Sequence, residues 1–243
     1  MNSIDKTSNR DIVIALAGNP NTGKSTIFNA LTGLRQHTGN WPGKTVTNAQ
    51  GHYIHRGKPF LLVDLPGTYS LLANSPDEQV TRDFICFAKP DATIVVADAT
   101  NLERNLNLTL QVMEVTDNVV LCVNLLDEAE RKGIVVNLER LAHELGIPVI
   151  GTVARNQKGL IKLKDAIDDL VTGVLKPTPL KIKYSTNIES KIEELKPSLV
   201  KILQGLFEPR WVALRIIEGD DTLIASIEQY LVEKNFKIED EAL

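Results

Sequence analysis

Apolar positions along this chain fall into short continuous runs, separated by stretches in which they recur every three or four residues. Runs at 12–17, 46–55, 59–64, 92–97, 119–124 and 148–152 have the length and flanking turns of strands. Between them, the spacing predicts helices near 24–32, 76–88, 103–115, 138–145 and 160–172. Two of these carry explicit boundary signals. Ser75-Pro76-Asp77-Glu78 offers a cap, a proline at the first helical position and acids in the first turn. Leu138, Leu141, Ala142 and Leu145 make one apolar stripe that Gly146 ends. Strands alternating with helices imply an α/β fold, a mainly parallel sheet covered on both faces. Such sheets take ligands at the C-terminal ends of their strands.

After Lys176-Pro177-Thr178-Pro179, a short stiff connection, the pattern turns mostly helical at 188–206, 209–218 and 222–232. Pro197 should kink or divide the first of these, unless it begins a new helix. The expected division is one domain over residues 1–176, with residues 1–10 polar and frayed, and a small helical domain over 181–243.

Composition narrows the classes. The 243 residues carry a formal net charge of −4, and the basic residues are scattered. That pattern gives no electrostatic footprint for nucleic acid or anionic lipid. Cys86 and Cys122 each sit in an apolar stretch, which reads as core packing in a reducing cytosol rather than ligation. The N-terminus has no apolar signal-peptide core, and no run approaches the ~18 apolar residues of a membrane span, so a soluble polypeptide is expected. His37, His52, His55 and His143 show no ligand spacing. His52 and His55 are three apart on a predicted strand and so point to opposite faces, as surface or hairpin residues do.

The chemistry concentrates in three stretches. Gly18-Asn19-Pro20-Asn21-Thr22-Gly23-Lys24-Ser25, followed by Thr26, comes directly after a strand and opens a helix. It reads as G-x-x-x-x-G-K-[ST], the loop that wraps the phosphates of a nucleoside triphosphate. Gly18 and Gly23 let backbone N–H groups approach anionic oxygens with no Cβ in the way. Lys24 sets a compact cation against the β- and γ-phosphates, Ser25 is a Mg²⁺ ligand, and the helix adds the positive end of its dipole. Asp64-Leu65-Pro66-Gly67 ends another strand, where a carboxylate can hold Mg²⁺ and the Gly67 N–H can meet a γ-phosphate. Asn124-Leu125-Leu126-Asp127 ends a third. A carboxylate there can accept from both N1–H and the 2-amino group of guanine, whereas adenine offers no such donor pair. Asp127 is therefore expected to select GTP over ATP, with Asn124 bracing the neighbouring loop and reaching the base edge. Asn and Asp are also good helix caps, which is the plainer reading of the same four residues.

Together these stretches resemble the TRAFAC-class GTPases over residues 11–172. The resemblance implies a switch-one threonine and a base-closing loop at Thr152-Val153-Ala154, where Val153 departs from the usual serine and should modestly weaken the guanine contact. Two further runs, Asn40-Trp41-Pro42-Gly43-Lys44-Thr45-Val46-Thr47 and Arg210-Trp211-Val212-Ala213-Leu214, look like the cytosolic N-terminal region of the bacterial ferrous-iron transport protein B family. That likeness covers essentially the whole chain. It implies a G domain and then a helical regulatory domain affecting GDP release, both at the cytoplasmic face of the bacterial inner membrane, followed by a membrane-embedded iron pathway. It also implies that Thr45, with Thr47 as the near competitor, completes the Mg²⁺ shell.

Many small GTPases orient the attacking water with a glutamine just after Asp-x-x-Gly, but here that position is Thr68, followed by Tyr69. Arg35 and Arg82 are arginine-finger candidates by location only, with solvated surface roles preferred. The resemblance suggests K⁺ instead, bound by Asn21 and by backbone carbonyls near residues 39–41. Lys24, Thr45, Gly67 and Asn21 are thus the residues expected to act in slow, K⁺-stimulated GTP hydrolysis. A soluble switch that reads nucleotide without a transport role is the alternative, and oligomeric state, a homo-oligomer included, stays open.

Overall fold

The computed structural model describes residues 11–33, 36–40, 47–72 and 75–240. Its centre is β1 (Ile12–Gly18), in which Ile14 and Leu16 enter one core and Ala15 and Ala17 the other, as the two-residue period requires. Chain order then runs α1 (Lys24–Thr32), β2 (Gln36–Asn40), β3 (Thr47–His55), β4 (Lys58–Asp64), α2 (Pro76–Asp83), β5 (Ala92–Asp98), α3 (Leu102–Val115) and β6 (Val119–Asn124). It continues through α4 (Leu126–Arg131), α5 (Leu138–Leu145), β7 (Val149–Gly151) and α6 (Leu160–Val171) to the helical part, α7 (Thr186–Leu203), α8 (Pro209–Glu218) and α9 (Asp221–Asp240).

The seven strands lie in the order β2-β3-β4-β1-β5-β6-β7. β1 pairs in parallel with both β4 and β5, β6 and β7 continue in parallel, and β3 is antiparallel to β2 and β4. The fold is the expected α/β sheet with helices on both faces and a C-terminal helical domain. One core packs Val95, Leu121 and Val123 against Leu108, Val112 and Met113 of α3; the other packs Ile94, Val96 and Val120 against Ile27 and Phe28 of α1 and Leu163 and Ile167 of α6. The chain runs from β1 to β2, β3 and β4 on one side of it and crosses from β4 to β5 on the other, so the loop after β1 sits at the crevice where an open α/β sheet takes its ligand.

The boundaries show where local pattern was overruled. Ser75 caps α2 through its Oγ, which accepts from the Glu78 N–H, and Gly146 closes α5 at φ 67°. The single helix expected over 76–88 instead changes winding after Asp83, and Phe84–Ala88 forms a π-turn. That turn sends Phe84 and Ile85 into the sheet core and Cys86 into the core of the helical part. Both cysteines are buried free thiols, and burial pushes Cys122 up to about 12 against the smaller effect of its Thr152 contact. Of the outcomes expected at Pro197, a kink, a division or a new helix, neither a division nor a new helix start occurs. Helix α7 runs unbroken, because Ile192 on one side of the proline and Leu199 and Leu203 on the other are anchored in one cluster with Trp211 and Leu214.

A half-buried clamp fixes how the helical part begins. Arg210 on α8 holds Glu189 on α7 in a two-pronged pair (2.7 and 2.8 Å) and donates to the Ile182 carbonyl (2.7 Å). The Arg210 hydrogen bonds, seconded by the Tyr184 N–H, hold the Glu189 carboxyl down at about 2 against its ordinary 4.5. A depressed carboxyl contributes stability that is complete above its unfolded value and lost as pH falls through its folded one. The urea midpoint should therefore drop between about pH 4.5 and pH 2. Glu189→Gln should lack that part of the drop; identical acid limbs in the two proteins would place the clamp outside the folding equilibrium.

Candidate functional site

The loop after β1 is shaped by backbone constraint. Asn21 and Gly23 take left-handed φ of 66° and 82°. A Cβ on Gly23 would meet Asn124 Nδ2 at 2.4 Å, and one on Gly18 would meet the Val96 carbonyl at 2.7 Å. Glycine is therefore required at both positions, for packing as well as for N–H access. Thr22 Oγ1 donates to the Asn19 carbonyl (2.9 Å), closing the loop on itself. Asn19, Pro20, Asn21, Gly23, Lys24, Ser25 and Thr26, together with Gly67, line a cavity of about 570 Å³. Gly67 stands there because the chain after β4 stays docked on β1: Leu65 N–H donates to the Leu16 carbonyl and Thr68 N–H to that of Gly18.

Lys24 forms an ion pair with Asp64. Burial raises the Asp64 carboxyl above its ordinary value, and the Lys24 charge and hydrogen bond only partly offset it. The carboxylate is thus largely desolvated and faces the Lys24 ammonium, and an oxygen ligand of this kind beside a phosphate loop fits a hard divalent cation. Ser25 opens at the same rim, and Asn21 is exposed beside it.

At the end of β6 the side chain of Asn124 is a three-way brace. Its Nδ2 donates to the Thr22 carbonyl (3.0 Å), and its Oδ1 accepts from Thr152 Oγ1 (3.0 Å) and the Ala154 N–H (3.1 Å). One buried amide therefore ties the phosphate loop to the loop after β7. Leu125 turns at φ 62° to start α4, and Leu126 N–H donates to the Thr152 carbonyl. This brings Asp127 into the first turn of α4 without capping it. One oxygen of Asp127 pairs with Arg155; the other, Oδ1, is buried and has no hydrogen-bond partner among the described residues. Val153 is buried and uses its N–H on the Lys158 carbonyl.

The predicted set therefore gathers at one edge of the sheet wherever the structure describes it. Gly43, Lys44, Thr45 and Val46 lie outside the described residues, as do Arg35 and Trp41, and Thr47 is described only as the first residue of β3. Thr68 is buried, with its hydroxyl turned onto the Ser70 carbonyl (2.8 Å) rather than toward the cavity. Arg82 is a correction. It is not a solvated surface residue: its side chain is 1% exposed and paired with Asp83 and Asp220, so it cannot reach the phosphate loop as a finger. His55 pairs with Asp165 (2.9 Å) and His52 with Asp11 (3.4 Å), and no cluster of three His, Cys, Asp or Glu occurs among the described residues. Arg155 was missed. Its signal was its place directly after the base-closing loop.

A β-strand running through a glycine-bounded loop into a helix, with an acidic strand end across the cavity and an Asn/Asp pair braced behind it, defines a P-loop domain of the GTPase type. The chain belongs to the ferrous iron transport protein B (FeoB) family. The family model of that description matches residues 12–167, and one for the FeoB cytosolic helical domain matches residues 184–242. The Fe(2+) transport protein A/Fe(2+) transporter FeoB fusion protein of Porphyromonas gingivalis is 38% identical over 219 residues, covering 88% of this chain and 26% of that protein. The cytosolic domain of the T. maritima FeoB iron transporter in a GDP form superposes with a TM-score of 0.82 at 34% identity, covering 91% of this chain and 86% of that one. The same T. maritima domain in a GMPPNP form gives 0.80 at 35%, covering 90% and 86%. The chain spans about a quarter of the length of the curated relatives it matches.

Proposed function

We propose that this chain is a guanine-nucleotide switch that binds GTP and GDP with Mg²⁺, hydrolyses GTP slowly, and regulates a membrane-embedded ferrous-iron pathway. The observation that carries the guanine reading is the buried, unpartnered Oδ1 of Asp127 at the end of β6. An orphaned carboxylate oxygen costs free energy unless a donor arrives, and guanine brings two. Residues 1–176 form the nucleotide domain and residues 181–243 a helical domain that tunes GDP release. The relatives named as Fe(2+) transporters support the iron role, and the likeness to a cytosolic domain of an iron transporter supports a position at the cytoplasmic face of the bacterial inner membrane.

In this reading the loop N–H groups of residues 18–26 cradle the phosphates, and Lys24 moves from Asp64 to the β- and γ-phosphates. Ser25, Asp64 and Thr45 or Thr47 hold Mg²⁺, which offsets phosphate charge when bound. Gly67 offers its N–H to the γ-phosphate. Asn124 and residues 152–154 shape the base pocket while Asp127 takes the guanine donors. With Thr68 turned away, the attacking water is oriented by backbone groups, another residue or a partner. The lack of a glutamine there favours slow turnover, and it keeps alive a soluble switch that binds without turning over; steady-state phosphate release separates the two. The test of the whole reading is saturable, Mg²⁺-dependent binding of GDP and GTP in preference to adenine nucleotides. Equal uptake of ADP would overturn it.

Charge developing on the transferred phosphoryl group must also be met, and Asn21, whose exposure at the cavity rim supports the role, is our candidate ligand for K⁺ there. Hydrolysis is expected to run at least about tenfold faster in K⁺ than in Na⁺, a barrier difference of about 1.4 kcal/mol. Asn21→Ala should lose that gap while still binding GDP. Equal wild-type rates in the two salts would remove K⁺ from the mechanism.

A further inference from the structure

Arg155 is the middle residue of a short 3-10 turn (Ala154–Asn156) that continues the base-closing loop, and its guanidinium lies on Asp127 Oδ2. The pair is asymmetric in its surroundings. Arg155 is 57% exposed and Asp127 23%, while the second carboxylate oxygen is buried without a partner. A guanidinium presents two parallel N–H donors, and so does the N1–H and 2-amino edge of guanine. One carboxylate therefore faces two ligands of the same donor geometry, one tethered and charged, the other free and neutral.

We infer that Arg155 is an internal competitor for the base site, a latch that occupies Asp127 when nucleotide is absent and must yield part of the carboxylate when guanine enters. The inference rests on the guanine reading above and deepens it. The brace of Asn124 makes the competition local. It fixes Ala154 by its N–H and Thr152 by its hydroxyl, so the turn carrying Arg155 is held in reach of Asp127 however the exposed guanidinium swings. Every nucleotide that binds displaces the same ion pair, so the latch weakens GDP and GTP alike and hastens release of both. Exposed ion pairs are individually weak, which sets the size of the effect.

The test compares the wild-type chain with Arg155→Ala and Arg155→Lys, by equilibrium titration and by displacement of a fluorescent GDP analogue. Circular dichroism melts check that each variant folds; exposure of the side chain leads us to expect that they do. Arg155→Ala should bind GDP about two- to fivefold more tightly, mostly through slower release. The gap should narrow as KCl is raised, because salt screens the charged latch more than the neutral base contact. Arg155→Lys should fall between the two, having one ammonium in place of the fork. In an Asp127→Asn background, titrated with xanthosine diphosphate, Arg155→Ala should change nothing. Unchanged or weaker GDP binding by folded Arg155→Ala would overturn the latch and make Arg155 a mere surface residue or a strut. If none of the proteins, wild type included, takes up GDP, the guanine reading falls and the latch with it.

Discussion

Asp127→Asn is expected to lose GTP and GDP and to gain xanthosine nucleotides. The carboxylate can accept from both guanine donors at once. An amide in its place accepts with one atom and turns an N–H₂ toward the second donor. Losing one charge-assisted hydrogen bond, weakening the other and setting donor against donor costs about 3–4 kcal/mol, or roughly a hundred- to a thousandfold in affinity. Xanthine carries a carbonyl where guanine has the 2-amino group, so the new amide N–H₂ finds an acceptor. The fold should survive the change. Asp127 pairs with an exposed arginine, whereas the buried brace belongs to Asn124, which is untouched. Titration of both proteins with GDP and xanthosine diphosphate checks it. A variant that binds GDP as well as the wild type would take Asp127 away from the base.

What made this site readable in the sequence is that each of its parts sits at the end of an apolar run. Strands β1, β4, β5 and β6 are largely buried and read as continuous hydrophobic segments; the chemistry follows where β1, β4 and β6 stop. β2 had no such signal. Gln36-His37-Thr38-Gly39-Asn40 contains no apolar residue, and it is a strand because β3 supplies its backbone partners. The short helix α4 was hidden for another reason: Leu126–Arg131 is one turn and a half and starts from a left-handed leucine, a conformation that no propensity signals. Asn124 showed its identity but not its reach. Its three partners come from loops 102, 28 and 30 residues away, and only the sheet brings them together.

Arg82 was the residue that sequence reasoning misplaced, and its removal should be the most damaging change in the chain. Its neighbours on α2 are polar, so nothing local marks it as buried. The burial comes from Asp220, 138 residues away at the turn between α8 and α9. Arg82 Nε and Nη2 hold Asp83 Oδ1 (3.1 and 3.0 Å), and Nη1 reaches Asp220 Oδ2 (3.3 Å). Asp220 Oδ1 in turn accepts from Thr222 Oγ1 and the Leu223 N–H at the start of α9. One residue earlier, Thr81 Oγ1 donates to the Pro66 carbonyl in the acidic loop after β4. Helix α2 thus ties that loop to the helical domain through a buried charge.

Arg82→Met keeps most of the volume but takes the guanidinium away from Asp83, which is 2% exposed. Breaking one side of a buried pair costs about 3–5 kcal/mol, a large share of the ~5–15 kcal/mol that holds a domain together. Arg82→Met with Asp83→Leu should recover much of that loss, because the buried carboxylate is then gone as well. Asp220→Ala should cost less than Arg82→Met, since Asp220 is 16% exposed and water can take its place. Urea unfolding of the four proteins decides the order. If Arg82→Met stays within about 0.5 kcal/mol of wild type, the guanidinium is solvated and the tie is not made; if the double variant is as weak as the single, the loss comes from packing and not from the carboxylate left behind.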